Sequence, residues 1–446
     1  MSDTSRQTLP SGGPLPSAPA EPAPPLARPA GSGRMKVLLH GINFAPELTG
    51  IGKYTGEMAQ WLAAQGHDVR VVTAPPYYPA WAVAPGYRAD RYQRQTWQGV
   101  EVIRCPLWVP RRPTGLRRLL HLGAFALTSL PALLAQWRWR PDVVWVVAPA
   151  FACAPGALAL ARLRGAAAWL HIQDYEVDAA FELGLLKGDR LRRIATAGEG
   201  WLLRRFDRVS TISSRMLDRA RDKGVAPSRL RALPNWVDVD AVRPLAHASS
   251  YRAELGIPPD AVVALYSGNM GAKQGLEVLA ALAGRLRHRA DLHFVYCGAG
   301  AVRTELMQAC AGMANVRFLD LQPVERLPEL LGLADIHLLP QKADAADLVM
   351  PSKLTGMLSS GRAVVAGARP DTELGQVVAQ CGRLAVPQDA ASFAAAVEEL
   401  ADDPELRRAL GRRAREIAEQ TLARDSVLQR FEADLQACLA AQPARR

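Results

Sequence analysis

Cysteine is scarce in this chain of 446 residues, and the six cysteines present are widely spaced. No two of them form a C-x-x-C pair, and so few in so long a chain do not indicate a disulfide framework. The same spacing gives no support for a metal site. We therefore expect reduced thiols in a cytoplasmic setting, and no bound metal.

The N-terminal part of the chain lacks the apolar run that a secretory signal peptide needs. Residues 1–34 are instead rich in Pro, Ala, Gly and Ser, a composition typical of a disordered tail. Folded structure is expected to begin at "MKVLLHG", and Met35 is an alternative start of the protein.

A net charge of +11, from 54 basic and 43 acidic residues, raises the question of an anionic partner. Nucleic acid, an anionic membrane face and phosphorylated ligands would each explain it, as would an Arg-rich bias on a solvated surface. The basic residues are not interleaved with aromatic residues in a recognisable nucleic-acid module. No nucleic-acid partner is therefore expected.

The chain is too long for one hydrophobic core, and it alternates predicted strands and helices in two series. The first series runs from "KVLLHGI" to "RLRALPN" and the second from "AVVALYSG" to "RLAVP". Such alternation predicts an α/β fold: two Rossmann-like, doubly wound domains facing each other across a cleft. The predicted domains span residues 35–240 and 241–424, with a hinge near 235–250 and a final helix, 425–446, packing back on the first.

An apolar stretch with basic ends, residues 111–140, interrupts this alternation of predicted strands and helices. Its uninterrupted apolar part is near 17 residues, short of the roughly 20 that a membrane span takes. Arg and Trp at both margins suit a helix in the headgroup region, with a core helix or a true span as alternatives. The basic residues expected on the membrane or acceptor side are Arg111, Arg112, Arg117 and Arg118.

Two loops of the first domain follow strands, where ligands of such domains bind. In "NFAPELTGIGKYTGE", Gly50 and Gly52 let the backbone approach a ligand closely and Lys53 adds a charge, with a plain turn as the alternative. In "HIQDYEVD", Asp174 is placed to accept a hydrogen bond from a ligand hydroxyl, whereas His171 is expected to be a packed core residue.

A glycine-rich loop of the second domain, "YSGNMGAKQGL", indicates a phosphate site. Gly268, Gly271 and Gly275 with Lys273 are suited to cradle a diphosphate on backbone amides and an ammonium group. The next strand ends "VYCGAG", without the carboxylate that would hold a ribose in a dinucleotide fold. An NAD site is therefore disfavoured.

A second loop of this domain, "DLVMPSKLTGMLSSG", places Ser352 and Lys353 at the start of a predicted helix. A cation there opposes the helix dipole, so Lys353 indicates a bound anion, with a solvated lysine as the alternative. The next strand is followed by "RPDTELG", in which Glu373 is available for sugar hydroxyls.

In this order the motifs resemble those of retaining glycosyltransferases of family 4, which have the GT-B fold. "FAPELTGIGKYTGEMAQWLAAQGHDVRVVTAPP" is similar to the family's glycine loop, first helix and second strand, and "LPNWVDVDAVRP" to its inter-domain crossover. "ADIHLLPQ", "GRAVVAG" and "DPELRRALGRRARE" are similar to parts of its second domain. "APPYYPAW" and "GNMGAKQGLE" resemble the branch of colanic-acid-type exopolysaccharide transferases, some of which move fucose.

The sequence departs from the family pattern at the donor site. The family's two glutamates, eight residues apart, fall on Leu348 and Gly356, with Asp347 one residue from the first position. The second glutamate typically holds the nucleotide ribose. The basic pair of the donor loop and the first-domain histidine are also replaced, by Asn269, Gln274 and Gln173.

The resemblance implies a nucleotide diphosphate-sugar as co-substrate, with no cofactor and no metal. The first domain would be the acceptor side and the second would bind the nucleotide-sugar. The implied catalytic residues are Lys273, Lys353 and Asp174. The implied donor-binding residues are Gly50, Gly52, Gly268, Asn269, Gly271, Gln274, Gly275, Asp347, Ser352, Thr372, Glu373 and Leu374.

The implied reaction is transfer of a hexose or fucose, with retention, to a membrane-associated acceptor. We expect a polyprenyl-diphosphate-linked sugar, in exopolysaccharide or cell-surface glycan synthesis, with the enzyme peripheral on the inner face of the cytoplasmic membrane. Two alternatives remain open. A UDP-sugar 2-epimerase has a similar fold and needs no acceptor, and a non-catalytic nucleotide-sugar-binding homologue would suit Leu348 and Gly356.

Overall fold

The computed structural model describes residues 33–48, 50–111, 114–149, 151–182, 188–271, 274–342 and 350–442. These residues form two parallel-rich sheets, each covered by helices. The α/β class and the pair of Rossmann-like domains predicted from the strand–helix alternation are confirmed.

The first sheet has the strand order β3-β4-β2-β1-β5-β6-β7-β8. Every neighbouring pair is parallel except β3 and β4, which are antiparallel. Its strands are β1 Lys36–His40, β2 Asp68–Thr73, β3 Gln93–Trp97, β4 Val100–Arg104, β5 Val143–Ala148, β6 Ala167–Ile172, β7 Arg208–Thr211 and β8 Leu230–Ala232. The helices of this domain are α1 Gly50–Ala64, α2 Gly115–Ala135, α3 Ala154–Arg164, α4 Glu176–Glu182, α5 Asp189–Leu203 and α6 Ser214–Asp222.

The second sheet is wholly parallel, with the order β11-β10-β9-β12-β13-β14. Its strands are β9 Val262–Ser267, β10 Leu292–Cys297, β11 Val316–Leu319, β12 Ile336–Leu339, β13 Ala363–Gly367 and β14 Gly382–Ala385. The helices that follow β8 are α7 Ser250–Glu254, α8 Glu277–Arg285, α9 Arg303–Ala309, α10 Leu327–Leu333, α11 Lys353–Ser359, α12 Glu373–Cys381, α13 Ala390–Asp402, α14 Pro404–Ile417 and α15 Arg424–Ala440.

The central strands are buried along their whole length because helices cover both faces of each sheet. All residues of β5, β6, β9 and β10 are buried. In β5 the side chains alternate between the two faces, with Val144 and Val146 in one hydrophobic cluster and Val143 and Trp145 in the other.

Strand β3 was missed by the sequence analysis. Its residues, "QRQTW", carry no apolar run, and the strand lies at the sheet edge, where only one neighbour is needed. A two-residue turn joins β3 to β4, with φ of 49° at Gln98 and 78° at Gly99. This backbone matches the tight hairpin turn that the right-handed twist of paired strands favours.

The chain crosses between the domains twice, and the two crossings are hydrogen-bonded to each other. Val237 N–H donates to the carbonyl of Leu422 over 2.9 Å, and Arg424 N–H donates to the carbonyl of Val237 over 2.9 Å. Beyond the second crossing, α15 packs on the first domain, where the Phe431 ring lies 5.3 Å from that of Trp169.

The segment around residues 111–140 forms the long helix α2. Continued by one 3₁₀ turn to Arg138, it is the one helix in the described ranges that is long and apolar enough to span a bilayer. An 18-residue stretch of it has a mean hydropathy of 1.5, and 33% of that stretch is buried. Several leucines remain exposed, among them Leu116 at 69% and Leu127 at 75%. Arg111, Arg117 and Arg118 are exposed too, whereas Arg112 lies outside the described residues.

Candidate active site

The carboxyl ends of both sheets face a common cleft, and side-chain hydrogen bonds join the helices that start there. Tyr54, near the start of α1, is hydrogen-bonded through its hydroxyl to the side chain of Thr355, near the start of α11. On the same side, Ser214 Oγ donates to Glu373 Oε2 over 2.9 Å. The loops that lead into α1, α6, α11 and α12 therefore meet between the domains.

The glycine loop of the first domain is built around a buried carboxylate, Glu47. Backbone N–H groups of Tyr77 and Tyr78 donate to its Oε1, each over 3.0 Å, and Asn43 Nδ2 donates to its Oε2 over 2.9 Å. A Cβ on Gly52 would overlap Glu47, which explains the glycine there. Burial raises the pKa of Glu47 in spite of these donors.

Gly50 permits the turn into α1, because its φ of 61° is one that side chains disfavour. The ring of Tyr78 lies over it, with Cε1 3.8 Å from where a Cβ would stand. Sequence reasoning missed Glu47, although a lone acidic residue between "FAP" and "LTG" was the available signal.

The loop after β6 begins with a series of hydrogen-bonded polar side chains near the cleft. Gln173 Nε2 donates to Asn235 Oδ1 and to His171 Nε2, each over 3.1 Å. His171 Nδ1–H donates to Ser210 Oγ over 2.9 Å, and burial lowers the pKa of His171 to about 3. His171 is thus a neutral, packed histidine as expected, while Asp174 follows at an exposed position.

In the second domain, the loop after β9 lies directly on the loop after β10. Gly268 N–H donates to the carbonyl of Cys297 over 3.0 Å, and Met270 N–H donates to the carbonyl of Ala299 over 2.9 Å. The approach requires glycine, since a Cβ on Gly298 would overlap the carbonyl of Gly268. "VYCGAG", which lacks a ribose carboxylate, therefore has a packing reason for its glycines.

Lys353 begins α11 and lies against the same glycine loop. Its Nζ and Cε are each 3.4 Å from where a Cβ on Gly268 would stand, so glycine leaves room for the lysine. Nζ donates to the Tyr266 hydroxyl over 2.9 Å, and that hydroxyl donates to the carbonyl of Asn269 over 2.6 Å. Burial lowers the pKa of Lys353 to about 8. No ion pair to a described acidic residue offsets this burial.

The remainder of the loop presents side-chain amides. Gln274 Oε1 would lie 2.9 Å from a Cβ on Gly271, and Gly275, with φ of 65°, packs against Gln341. Gln274 Oε1 and Gln341 Oε1 are both buried without a hydrogen-bond partner in the described part of the chain. Two predicted residues, Lys273 and Asp347, lie outside the described residues.

The start of α12 carries three of the predicted donor-binding residues, Thr372, Glu373 and Leu374. The Thr372 hydroxyl accepts from Gly375 N–H over 3.0 Å and donates to the carbonyl of Arg369 over 2.7 Å, so it caps the helix. Leu374 is buried in a hydrophobic cluster, which leaves only its backbone for a ligand. Glu373 accepts from Ser214 across the cleft, while Ser352 is exposed.

Gly356, which stands where the family has its second glutamate, lies on α11 one turn after Lys353. A Cβ there would be 3.1 Å from Leu331 Cδ1, so a side chain would require the end of Leu331 to shift by a few tenths of an ångström. Within the described ranges, no group of three or more His, Cys, Asp or Glu side chains could hold a metal ion.

The two domains also match known families. Residues 49–236 match the "Glycosyl transferase 4-like domain", and residues 261–403 match "Glycosyl transferases group 1". With its two facing α/β domains, the chain belongs to this family of GT-B glycosyltransferases.

One relative indicates the branch of the family to which the chain is similar. "Putative colanic acid biosynthesis glycosyl transferase WcaI" of Escherichia coli (strain K12) is 46% identical over 411 residues, covering 90% of this chain and 100% of the relative. The resemblance to the colanic-acid-type branch is thereby confirmed.

Solved structures share the fold at low identity. Sucrose-phosphate synthase from Thermosynechococcus elongatus superposes with a TM-score of 0.72 at 17% identity, covering 92% of this chain and 100% of that one. HepE of Anabaena, in complex with UDP and glucose, superposes with a TM-score of 0.64 at 14% identity, covering 91% and 100%.

Proposed function

We propose that this glycosyltransferase moves a sugar from a nucleoside diphosphate-sugar to a lipid-linked acceptor, with retention, in the synthesis of an exopolysaccharide of the colanic-acid type. The observation that carries the proposal is Lys353, a half-buried cation set against the glycine loop of the second domain and facing the cleft. No carboxylate of the described residues pairs with this ammonium group, whose burial is unfavourable, and a diphosphate would supply the negative charge.

The chemistry follows from where charge develops. The bond between the anomeric carbon and the diphosphate breaks, and a bond to the acceptor oxygen forms on the same face of the sugar. The departing phosphate takes the acceptor's proton, so a separate base is not needed. Lys353, Lys273 and the amides of the loop Gly268–Gly271 would stabilise the negative charge on the leaving diphosphate. Closure of the domains would keep water from the donor.

The nucleoside of the donor needs side chains that accept hydrogen bonds from its ribose hydroxyls, because the family's second glutamate is absent here. Gln274 and Gln341 each bury a side-chain oxygen that has no partner among the described residues, and Gly275 packs against the backbone of Gln341. A ribose hydroxyl would satisfy such an oxygen, which removes the cost of leaving it unpaired. The fold neighbour HepE was solved with UDP, which makes uridine nucleotides the first to test.

The acceptor lipid would be reached from the inner membrane surface through α2. Its exposed leucines lie along one face of the helix, and exposed arginines stand at its start. This pattern is typical of helices that lie in the headgroup region of an anionic bilayer. The proposed location is therefore peripheral, on the cytoplasmic face.

A panel of UDP-, GDP- and dTDP-sugars tests the donor. One class is expected to raise the melting temperature and then support transfer to membrane lipids. Because the Lys353 pKa is about 8, the ammonium is present at pH 7 and lost as pH rises through 8. Donor affinity should therefore be constant below pH 7 and fall by up to about tenfold per pH unit above 8.

The same panel separates the competing functions. Stabilisation by a nucleotide-sugar without transfer would indicate a non-catalytic binding protein, and release of nucleotide without any acceptor would indicate an epimerase. If no member of the panel stabilises the protein, the transferase proposal fails.

The role of Glu373 can be tested with a matched pair of variants. In Glu373→Gln both the contact to Ser214 and any charged contact to a donor hydroxyl are weakened, whereas Ser214→Ala removes only the first. We expect Glu373→Gln to raise the donor KM by about tenfold, since hydrogen bonds to charged groups are the stronger class. Ser214→Ala should change the donor KM by less than about threefold. Equal effects of the two substitutions would reduce Glu373 to an inter-domain contact.

A further inference from the structure

The turn after β2 places an exposed aromatic ring at the mouth of the cleft. Tyr78 is 37% exposed, its ring lies over Gly50, and its backbone N–H is fixed by Glu47. Its hydroxyl has no hydrogen-bond partner among the described residues. A flat ring with a free hydroxyl, held on a fixed backbone, is suited to contact both the apolar face and the hydroxyl groups of a sugar.

A second ring in this turn is held in an unfavourable backbone conformation. Trp81 has a φ of 52°, a value rare for a bulky side chain. Its ring packs 5.6 Å from that of Tyr77 and 5.4 Å from that of His121, and the Arg118 guanidinium lies 5.7 Å from it. Strained residues of this kind persist where the surroundings hold them, and they cluster at ligand sites.

His121 adds a buried acceptor to the same cluster. Its Nδ1–H donates to the carbonyl of Trp108 over 2.6 Å, which leaves a lone pair on Nε2. That Nε2 is buried and has no partner in the described ranges. Nε2 lies on the opposite side of the imidazole ring from the Nδ1 that contacts Trp108. Burial lowers the pKa of His121, and the nearby positive charge of Arg118 lowers it further. A neutral imidazole nitrogen of this kind accepts from a hydroxyl, not from a phosphate.

The start of α2 supplies positive charge beside these rings. Arg117 and Arg118 lie in its first turn, the turn contains no acidic residue, and Thr114 makes no side-chain cap. Neither arginine forms an ion pair with a described acidic residue. Two cations at a helix start oppose the dipole, and an anionic group would relieve that opposition.

We propose that the turn 78–81 and the first turn of α2 form the subsite for the head of the acceptor lipid. Tyr78 and Trp81 would contact its sugar, His121 Nε2 would accept from a sugar hydroxyl, and Arg117 with Arg118 would bind the phosphate between sugar and lipid. The ligand class is a membrane lipid with a sugar-phosphate or sugar-diphosphate head. This inference rests on the proposed transferase function.

The test uses the full-length protein, the stabilising nucleotide-sugar and a detergent-solubilised lipid extract of the source organism's membranes. The variants are Tyr78→Ala and Arg118→Gln, with Trp137→Ala as the matched control. Trp137 is exposed like Tyr78 but stands about 28 Å along α2 from Arg118. Initial transfer rates are measured against extract concentration and, separately, against donor concentration.

Tyr78→Ala and Arg118→Gln should each raise the apparent KM for the extract by at least about tenfold, with the donor KM changed by less than about twofold. Trp137→Ala should leave both unchanged in detergent. An unchanged extract KM in the first two variants, with wild-type transfer intact, would overturn this inference alone. Absence of wild-type transfer overturns the proposed function as well. Nucleotide-dependent melting shifts show that each variant is folded.

Discussion

Lys353→Met should lower the rate of sugar transfer by about 10²–10³-fold, the range seen when one preorganised group that stabilises developing negative charge is removed. Methionine preserves the length and apolar stem of the side chain, so the packing against Gly268 is kept. The Tyr266 hydroxyl loses a donor but retains its hydrogen bond to the carbonyl of Asn269. The loss should be in kcat, measured with saturating donor and lipid extract.

The stability of this variant should move in the opposite direction from its activity. Burial holds the Lys353 pKa at about 8, below its ordinary value of 10.5. Between these values the unfolded chain binds more protons than the folded one, so this lysine makes the ligand-free protein less stable at neutral pH than at pH 9. Lys353→Met should therefore melt at the same temperature as wild type or higher at pH 7. Lower stability would indicate a structural role.

Two further variants sharpen this result. Lys36→Met removes a lysine at the start of β1, on the opposite edge of the sheet from the cleft, and should retain wild-type turnover. Lys353→Arg keeps the charge without a pKa near 8, so its residual activity should not fall as pH rises through 8. Wild-type turnover in Lys353→Met would move the role to Lys273 or to the loop amides.

The fold was largely predictable because buried parallel strands appear in the sequence as short apolar runs. Strands β5 and β9 are buried at every residue, and each appears in the sequence as an unbroken run. The edge strand β3 could not be predicted in this way, because "QRQTW" faces solvent and depends on the hairpin at Gln98 and Gly99. Edge strands need few apolar residues, so periodicity is a weak signal for them.

Site residues could be predicted where the local sequence gives no reason for the residue type. Contacts between residues far apart in the sequence could not be predicted in this way. Lys353 was identified because a cation at a helix start has no local reason to be there. Its partner Tyr266 lies 87 positions away, and only the folded sheet brings the two together. Thr372 shows the reverse case, since its capping of α12 is a local reason for a threonine that sequence reasoning assigned to the donor.

Membrane attachment through α2 predicts a large and selective loss when its arginines are reversed. Changing Arg111, Arg112, Arg117 and Arg118 to glutamate replaces attraction to anionic lipids, worth about 1 kcal/mol per basic residue near the surface, with repulsion. Binding to vesicles that contain anionic lipid should weaken by at least about 10³-fold. The exposed leucines of the helix remain, so weak binding to neutral vesicles should be unchanged.

The control must change the net charge equally, because any protein made less basic binds anionic surfaces less. Arg285, Arg287, Arg408 and Arg412 are exposed on the second domain, and their reversal gives the same change in charge away from α2. That variant should lose far less binding than the α2 variant, and its loss should vanish at high salt because distant charges are screened. Equal losses in the two variants would mean that the net charge of +11, and not α2 in particular, attracts the protein to anionic membranes. Unchanged binding in the α2 variant would mean that α2 is a core helix with basic ends.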